Sequence, residues 1–204
     1  PGEVFELIER YENVSFFAAP TMLVRLMSEG GVDKVRAEHL KCIIYGGAPM
    51  YLSDLERALG LFGPRLYHLY GQGESPMTIT GLSKRAHAQA LGANDRAMLA
   101  SAGVARTGVE VRVVGEDDQP LPPGQIGEII TRSDCVMRGY WRNPEADAAA
   151  LRGGWLHTGD VGSLDERGYL TLKDRSKDMI ISGGSNIYPR EIEDVLLLDA
   201  GVAQ

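Results

Sequence analysis

Apolar and polar positions alternate along the first part of the chain in two repeating rhythms. Val4, Phe5, Leu7, Ile8 and Tyr11 share one face of a helix, and Val14 to Ala19 follow as a short apolar run closed by Pro20. The cycle repeats: Met22, Leu23, Leu26 and Met27 predict a second helix stopped at Gly30-Gly31, and Lys41 to Tyr45 predict a strand running into Gly46-Gly47-Ala48-Pro49. In a third cycle Ser53 is placed to cap a helix carrying Leu52, Leu55 and Leu59, and Leu66 to Tyr70 form a strand that ends in Gly71-Gln72-Gly73-Glu74. Strands alternating with helices predict a parallel sheet, whose ligands bind beyond the carboxyl ends of the strands, where both Gly-containing loops fall.

From Met77 the pattern turns β-rich: MTITGL, GVEVRVV, a Pro/Gly turn through PLPPG, then GEIITR. This reads as a smaller barrel or sandwich. Residues 84 to 100 carry several Ala and no crisp period, and Asn143-Pro144-Glu145 reads as a helix start. Between Trp155 and Lys173 two apolar runs flank DERG, which predicts a β-hairpin with Gly168 at the turn and brings Asp160 and Arg175 to neighbouring strand ends. Beyond Arg175 come a polar pivot at Ser176 to Asp178, a short strand at Met179 to Ile181, a Gly183-Gly184 loop, and a helix opened by Pro189 with Ile192, Val195 and Leu196 on one face.

The chain has 204 residues, 44% hydrophobic and 24% charged, enough to bury a core in one or two domains. Its formal net charge of -7 argues against a general nucleic-acid or anionic-membrane binder. Cys42 and Cys135 lie far apart without zinc-site spacing, which fits a reducing compartment and the expectation of a cytoplasmic protein. The apolar runs are shorter than the roughly 18 residues of a membrane helix, and no signal-peptide pattern precedes them. His39, His68, His87 and His157 show no ligand spacing and read as packing or surface residues, with His68 a candidate for lining a pocket; Trp141 and Trp155 read as core.

Several loops carry candidate chemistry. GGAP at Gly46 to Pro49 is read as a tight strand-to-helix turn, or as a stretch of small residues that lets a flat ring approach the backbone. At Tyr70 to Glu74 an aromatic could stack on a base and a carboxylate could hold magnesium beside phosphates, although a lone Glu in a turn is usually only solvated. Asp160 can accept two hydrogen bonds from a vicinal diol and Arg175 can donate to a sugar or phosphate; a surface ion pair is the plainer alternative.

In their order, GGAP, YGQGE, TGD, DRSKD and SGGSNIYPREIE resemble the adenylate-forming enzymes, the acyl-CoA synthetases and their relatives, over nearly the whole chain. The resemblance implies a fold in which residues 1–100 are the α/β part of a large N-terminal domain with part of the adenine and acyl sites. Residues 101–175 would be a β-barrel-like subdomain with the ribose site, and 176–204 a hinge and the beginning of a small α+β C-terminal domain. It implies ATP and AMP, Mg2+ and coenzyme A, a fatty or aryl acid substrate, and leaves a homodimer open. Gly46, Gly47, Ala48 and Pro49 would lie against adenine and Glu74 would be the magnesium ligand. Tyr70, Gly71, Gln72 and Gly73 would approach the nucleotide, with Gln72, Gly73 or Ser75 against phosphate. Asp160 and Arg175 would hold the ribose, Lys177 would be the pivot, and Gly183 and Gly184 would border a pantetheine tunnel. Gly73 stands where the family has Thr, which removes a hydroxyl expected at phosphate. The family's Ser/Thr/Gly-rich phosphate loop with its Lys, and its C-terminal catalytic Lys, have no counterpart in these 204 residues. The expectation is a piece of a longer enzyme that does not adenylate efficiently by itself.

Overall fold

The three cycles of helix and strand form in the computed structural model as the pattern predicts, and they build one sheet. The structure describes residues 1–48, 50–175, 180–182, 185–197, 199, 201 and 202. These fall into two compact units, Pro1–Gln72 with Met77–Val104, and Gly73–Pro76 with Ala105–Gln204.

In the first unit α1 (Gly2–Arg10), β1 (Val14–Ala18), α2 (Pro20–Met27), β2 (Leu40–Gly46), α3 (Leu52–Phe62) and β3 (Leu66–Gln72) follow one another. β2 runs parallel to both β1 and β3, with Ala18 opposite Tyr45 and Gly46 opposite Leu69. Leu23, Leu26, Ile43, Leu55, Phe62 and Leu66 are almost fully buried, the apolar stripe of each helix meeting the apolar sheet. The sheet continues through β4 (Ser75–Leu82) to β5 (Val104–Ala105), in the order β1-β2-β3-β4-β5. MTITGL therefore extends the first sheet rather than opening the smaller one. β3 also runs on to Gln72, so the loop expected from Gly71 narrows to Gly73 and Glu74.

Two further local readings change. Ser53 lies inside α3, whose N-cap is Tyr51 in an extended conformation without a side-chain cap; Asp54 supplies negative charge to the first turn instead. Residues 84 to 100 form α4 (Lys84–Ala93), capped by the Ser83 hydroxyl, and α5 (Arg96–Leu99), capped by the Asp95 carboxylate. The period of α4 is weak because it buries only His87 and Ala90.

In the second unit β6 (Glu110–Val114), β7 (Gly127–Arg132), β8 (Leu156–Leu164) and β9 (Leu170–Arg175) form an antiparallel sheet in chain order, over Val113, Val114, Ile129, Ile130, Leu156 and Leu170. The predicted hairpin is β8–β9. Its turn is locked by Asp165, whose carboxylate accepts from the backbone N–H of Arg167 and Tyr169, while Gly168 takes φ +82°. α6 (Pro144–Ala150) starts where expected, with Asn143 accepting from Ala146 N–H. β10 (Ile180–Ser182) pairs antiparallel with β11 (Ser185–Ile187), and α7 (Pro189–Leu196) begins at its Pro.

The tryptophans are not core. Trp141 is 86% exposed in the loop before α6, where Arg142 takes φ +51° and no strand or helix turns its ring inward. Trp155 is half-buried, its ring flanked by the Arg112 and Arg132 guanidinium groups at 4.4 and 4.5 Å. Among the described residues no helix is long and apolar enough to cross a membrane.

Candidate functional site

In the first unit the GGAP segment begins at the carboxyl end of β2. Gly46 is buried against β3 so closely that a Cβ there would collide with the Leu69 carbonyl oxygen, and Met77 Sδ would stand 3.6 Å away. Gly47, at φ +84°, and Ala48 are exposed, so the bend offers bare backbone to solvent; Pro49 lies outside the described residues. Next to it on β3, Tyr70 keeps only 7% of its surface exposed, while Gly71 and Gln72 are half-buried. The sheet thus brings Gly46 to Ala48 and Tyr70 to Gln72 together at one edge.

Beneath that edge lies a buried polar chain. Tyr45 hydroxyl donates to His87 Nε2 at 3.0 Å, and His87 Nδ1 donates to the Ser83 carbonyl at 2.9 Å. Burial lowers the His87 pKa to about 4, against the smaller opposing effect of the Ser83 bond, and burial raises that of the Tyr45 phenol. The imidazole is therefore neutral, with Nε2 as acceptor. The His68 ring packs on Tyr45 with centroids 4.8 Å apart.

In the second unit a Cβ on Gly73 would meet nothing within 4 Å, so there is room for the Thr side chain that the motif otherwise carries. Ser75 is completely buried, which removes its hydroxyl from the candidates for phosphate. Glu74 is gripped twice: Met137 N–H donates to its carbonyl at 2.7 Å, and Tyr140 hydroxyl donates to its Oε1 at 2.6 Å. The bond to Glu74 pushes the Tyr140 pKa up to about 12, so the phenol stays a donor. Tyr140 N–H in turn donates to Asp147 Oδ1 on α6. One half-buried carboxylate, oriented through a single oxygen, suits magnesium, which takes one or two protein carboxylates and completes its shell with phosphate and water.

On the hairpin Asp160 stands opposite Arg175 in the β8–β9 register. Upstream of it, Asp160 N–H donates to Thr158 Oγ1, and Thr158 hydroxyl donates to the Ile129 carbonyl at 2.7 Å. Glu128 Oε1 accepts from Gly159 N–H; Glu128 Oε2 accepts from His157 Nδ1 at 2.9 Å and Arg152 Nη2 at 3.2 Å. Arg152 also holds Asp118, and its hydrogen bond keeps that carboxyl below its usual range. The ligand atoms of Asp118, Glu128 and His157 lie within 4.8 Å of one another, but Arg152 already supplies the positive charge between the two carboxylates.

Lys177, Gly183 and Gly184 lie outside the described residues. Tyr140 and Glu128 were missed from sequence because each meets its target across 66 and 31 residues respectively, a separation that no local spacing encodes.

A model of the AMP-binding enzyme family matches residues 1–141. A medium/long-chain-fatty-acid–CoA ligase of Mycobacterium tuberculosis is 34% identical over all of this chain and 34% of its own length. A feruloyl-CoA synthase of an Amycolatopsis species is 37% identical over 99% of this chain and 39% of its own length. The o-succinylbenzoate CoA synthetase of Bacillus subtilis, solved with its acyl-adenylate intermediate, aligns at a TM-score of 0.85 and 35% identity over 100% of this chain and 39% of that one. The chain thus spans between a third and two fifths of the length of these relatives.

Proposed function

From the premise that this chain belongs to the AMP-binding enzyme family, we propose that its protein is an ATP-dependent carboxylic acid–CoA ligase. The observation that carries the reading is that two relatives with unlike acids, a fatty acid and ferulate, are both named for the CoA product and both match essentially the whole chain. In the first step a carboxylate oxygen attacks the α-phosphorus of ATP and pyrophosphate leaves. In the second, the coenzyme A thiol attacks the acyl carbon, loses its proton, and AMP leaves.

The chain's own part is to hold and orient the nucleotide. The exposed backbone at Gly47 and Ala48 is open to the adenine edge, with Tyr70, Gly71 and Gln72 beside it on β3. Asp160 would accept from the ribose hydroxyls, and Arg175, whose backbone pairs with it and whose side chain lies outside the described residues, is proposed to donate to the sugar or a phosphate. Glu74, steered by Tyr140, would hold magnesium, which neutralises phosphate charge when bound. Gly73 leaves the phosphates without the usual hydroxyl. Lys177 is proposed as the pivot of a further C-terminal domain, and Gly183 and Gly184 as the border of the pantetheine tunnel. A fatty or related acyl acid is the favoured substrate and an aryl acid the second, supported by the feruloyl-CoA relative.

Incubating the uninterrupted gene product with Mg-ATP, coenzyme A and a panel of fatty and aromatic acids, read by mass spectrometry, tests this. AMP and a fatty acyl thioester are expected. An adenylate without thioester would point to a carrier-bound acceptor or an amino-acid adenylation domain, and nucleotide binding with neither product to a non-catalytic module. The 204 residues alone are expected to give no efficient adenylation, lacking the phosphate loop and the second Lys.

A further inference from the structure

The β7–β8 ladder is irregular where Asp160 sits. Glu128 pairs with Val161 and Ile130 with His157, so β8 uses two more residues than β7 over the same stretch. The surplus falls within the segment Thr158 to Asp160, which faces the single residue Ile129 of β7, and such a bulge takes backbone N–H groups out of the ladder. Two of these N–H groups bond to side chains: Gly159 donates to Glu128 Oε1 at 3.2 Å, and Asp160 to Thr158 Oγ1 at 3.1 Å. Gly159 is at φ +68°, a left-handed bend that glycine adopts without a Cβ clash.

Building on the ribose reading of Asp160, we propose that Glu128 is a positioning residue that sets the aim of Asp160 at the nucleotide's vicinal diol. Its two oxygens have separate partners. Oε1 takes the Gly159 N–H, while Oε2 is fixed by Arg152 Nη2 and by His157 Nδ1, whose side chain is 5% exposed. Asp118 shares Arg152, so the carboxylate is clamped from the side away from the bulge. A glutamine of the same shape cannot accept from Arg152 and His157 with its amide nitrogen, and must abandon either those two donors or Gly159. In either case the side-chain hold of Glu128 on the middle of the bulge is loosened, and Asp160 is the next residue.

Glu128 could instead be a strut for the sheet, so the test must read the diol and not only stability. The affinity of the uninterrupted gene product for AMP and for 2′-deoxy-AMP is measured by calorimetry in wild type, Asp160→Ala, Glu128→Gln, Glu128→Asp and the Asp160→Ala/Glu128→Gln double variant. Wild type should prefer AMP by about tenfold or more, the range of a hydrogen bond to a charged group, and Asp160→Ala should abolish the preference. Glu128→Gln should lose most of the preference, and the double variant should be no worse than Asp160→Ala alone. If Glu128→Gln weakens both nucleotides alike and keeps the ratio, the inference is overturned while the ribose reading stands. If wild type does not discriminate, the ribose reading fails and takes the inference with it. Should Glu128→Gln not fold, Glu128→Asp decides, because it keeps the charge for Arg152 but is one methylene too short to reach both sides; an unchanged ratio there overturns the proposal.

Discussion

Gly46 in the first unit and Glu128 in the second each settle where a candidate ligand group stands, by opposite means. Gly46 does so by lacking a side chain: β2 and β3 approach until only hydrogen fits against the Leu69 carbonyl. Glu128 does so by reaching out, one carboxylate joining a bulged backbone to His157 and Arg152. Around Gly46 the first unit is organised by exclusion, with a neutral and buried polar chain in Tyr45–His87–Ser83. The second is organised by charge near solvent, with Arg152 and Asp118 roughly half exposed. The first arrangement should be brittle to volume and deaf to salt, the second the reverse.

The largest expected effect is Gly46→Ala. A methyl has no room beside the Leu69 carbonyl, so β2 and β3 must part, at a cost of about 3 kcal/mol. Hydrogen exchange should show faster opening of β2 and β3 amides and an unchanged β8–β9 ladder; protection equal to wild type would break the contrast.

Next is pH. His87 titrates near 4 when folded, against about 6.5 when unfolded, so between these values the unfolded chain binds the extra proton. The stabilisation is complete above about pH 6.5 and is lost as pH falls toward 4, up to about 3 kcal/mol from this residue. Stability of the first unit against urea should fall over that window in wild type and less steeply in His87→Gln. Equal slopes would mean that the buried chain does not carry the acid sensitivity.

The smallest is Asp118→Asn. Arg152 keeps Glu128 as a partner, and exposed pairs are worth little, so only a slight loss of stability is expected, and less at high salt. A loss as large as that of Gly46→Ala, or one indifferent to salt, would erase the distinction between the units.

The three helix–strand cycles, the β8–β9 hairpin with Gly168 and the Pro-led helices α6 and α7 were legible because periodicity, turn residues and caps act over a few residues. The same locality placed the GGAP bend at a strand end and brought Asp160 and Arg175 to neighbouring strand ends, whereas their direct pairing depends on a register shift between Val161 and Gly162 that the turn does not encode. What depends on distant partners was not legible. α4 hides its period because its buried face is His87 and Ala90, and Trp141, apolar by type, stands in solvent where the loop leaves it. Ser75 proved buried, and MTITGL joined the first sheet, because an alternating strand does not specify its neighbour. Local chemistry in the chain thus determined the elements, their turns and the family motifs. The grip of Tyr140 on Glu74 and of Glu128 on Gly159 was decided only by tertiary structure, because a hydrogen bond depends on ångström placement that folding, and no spacing in sequence, supplies.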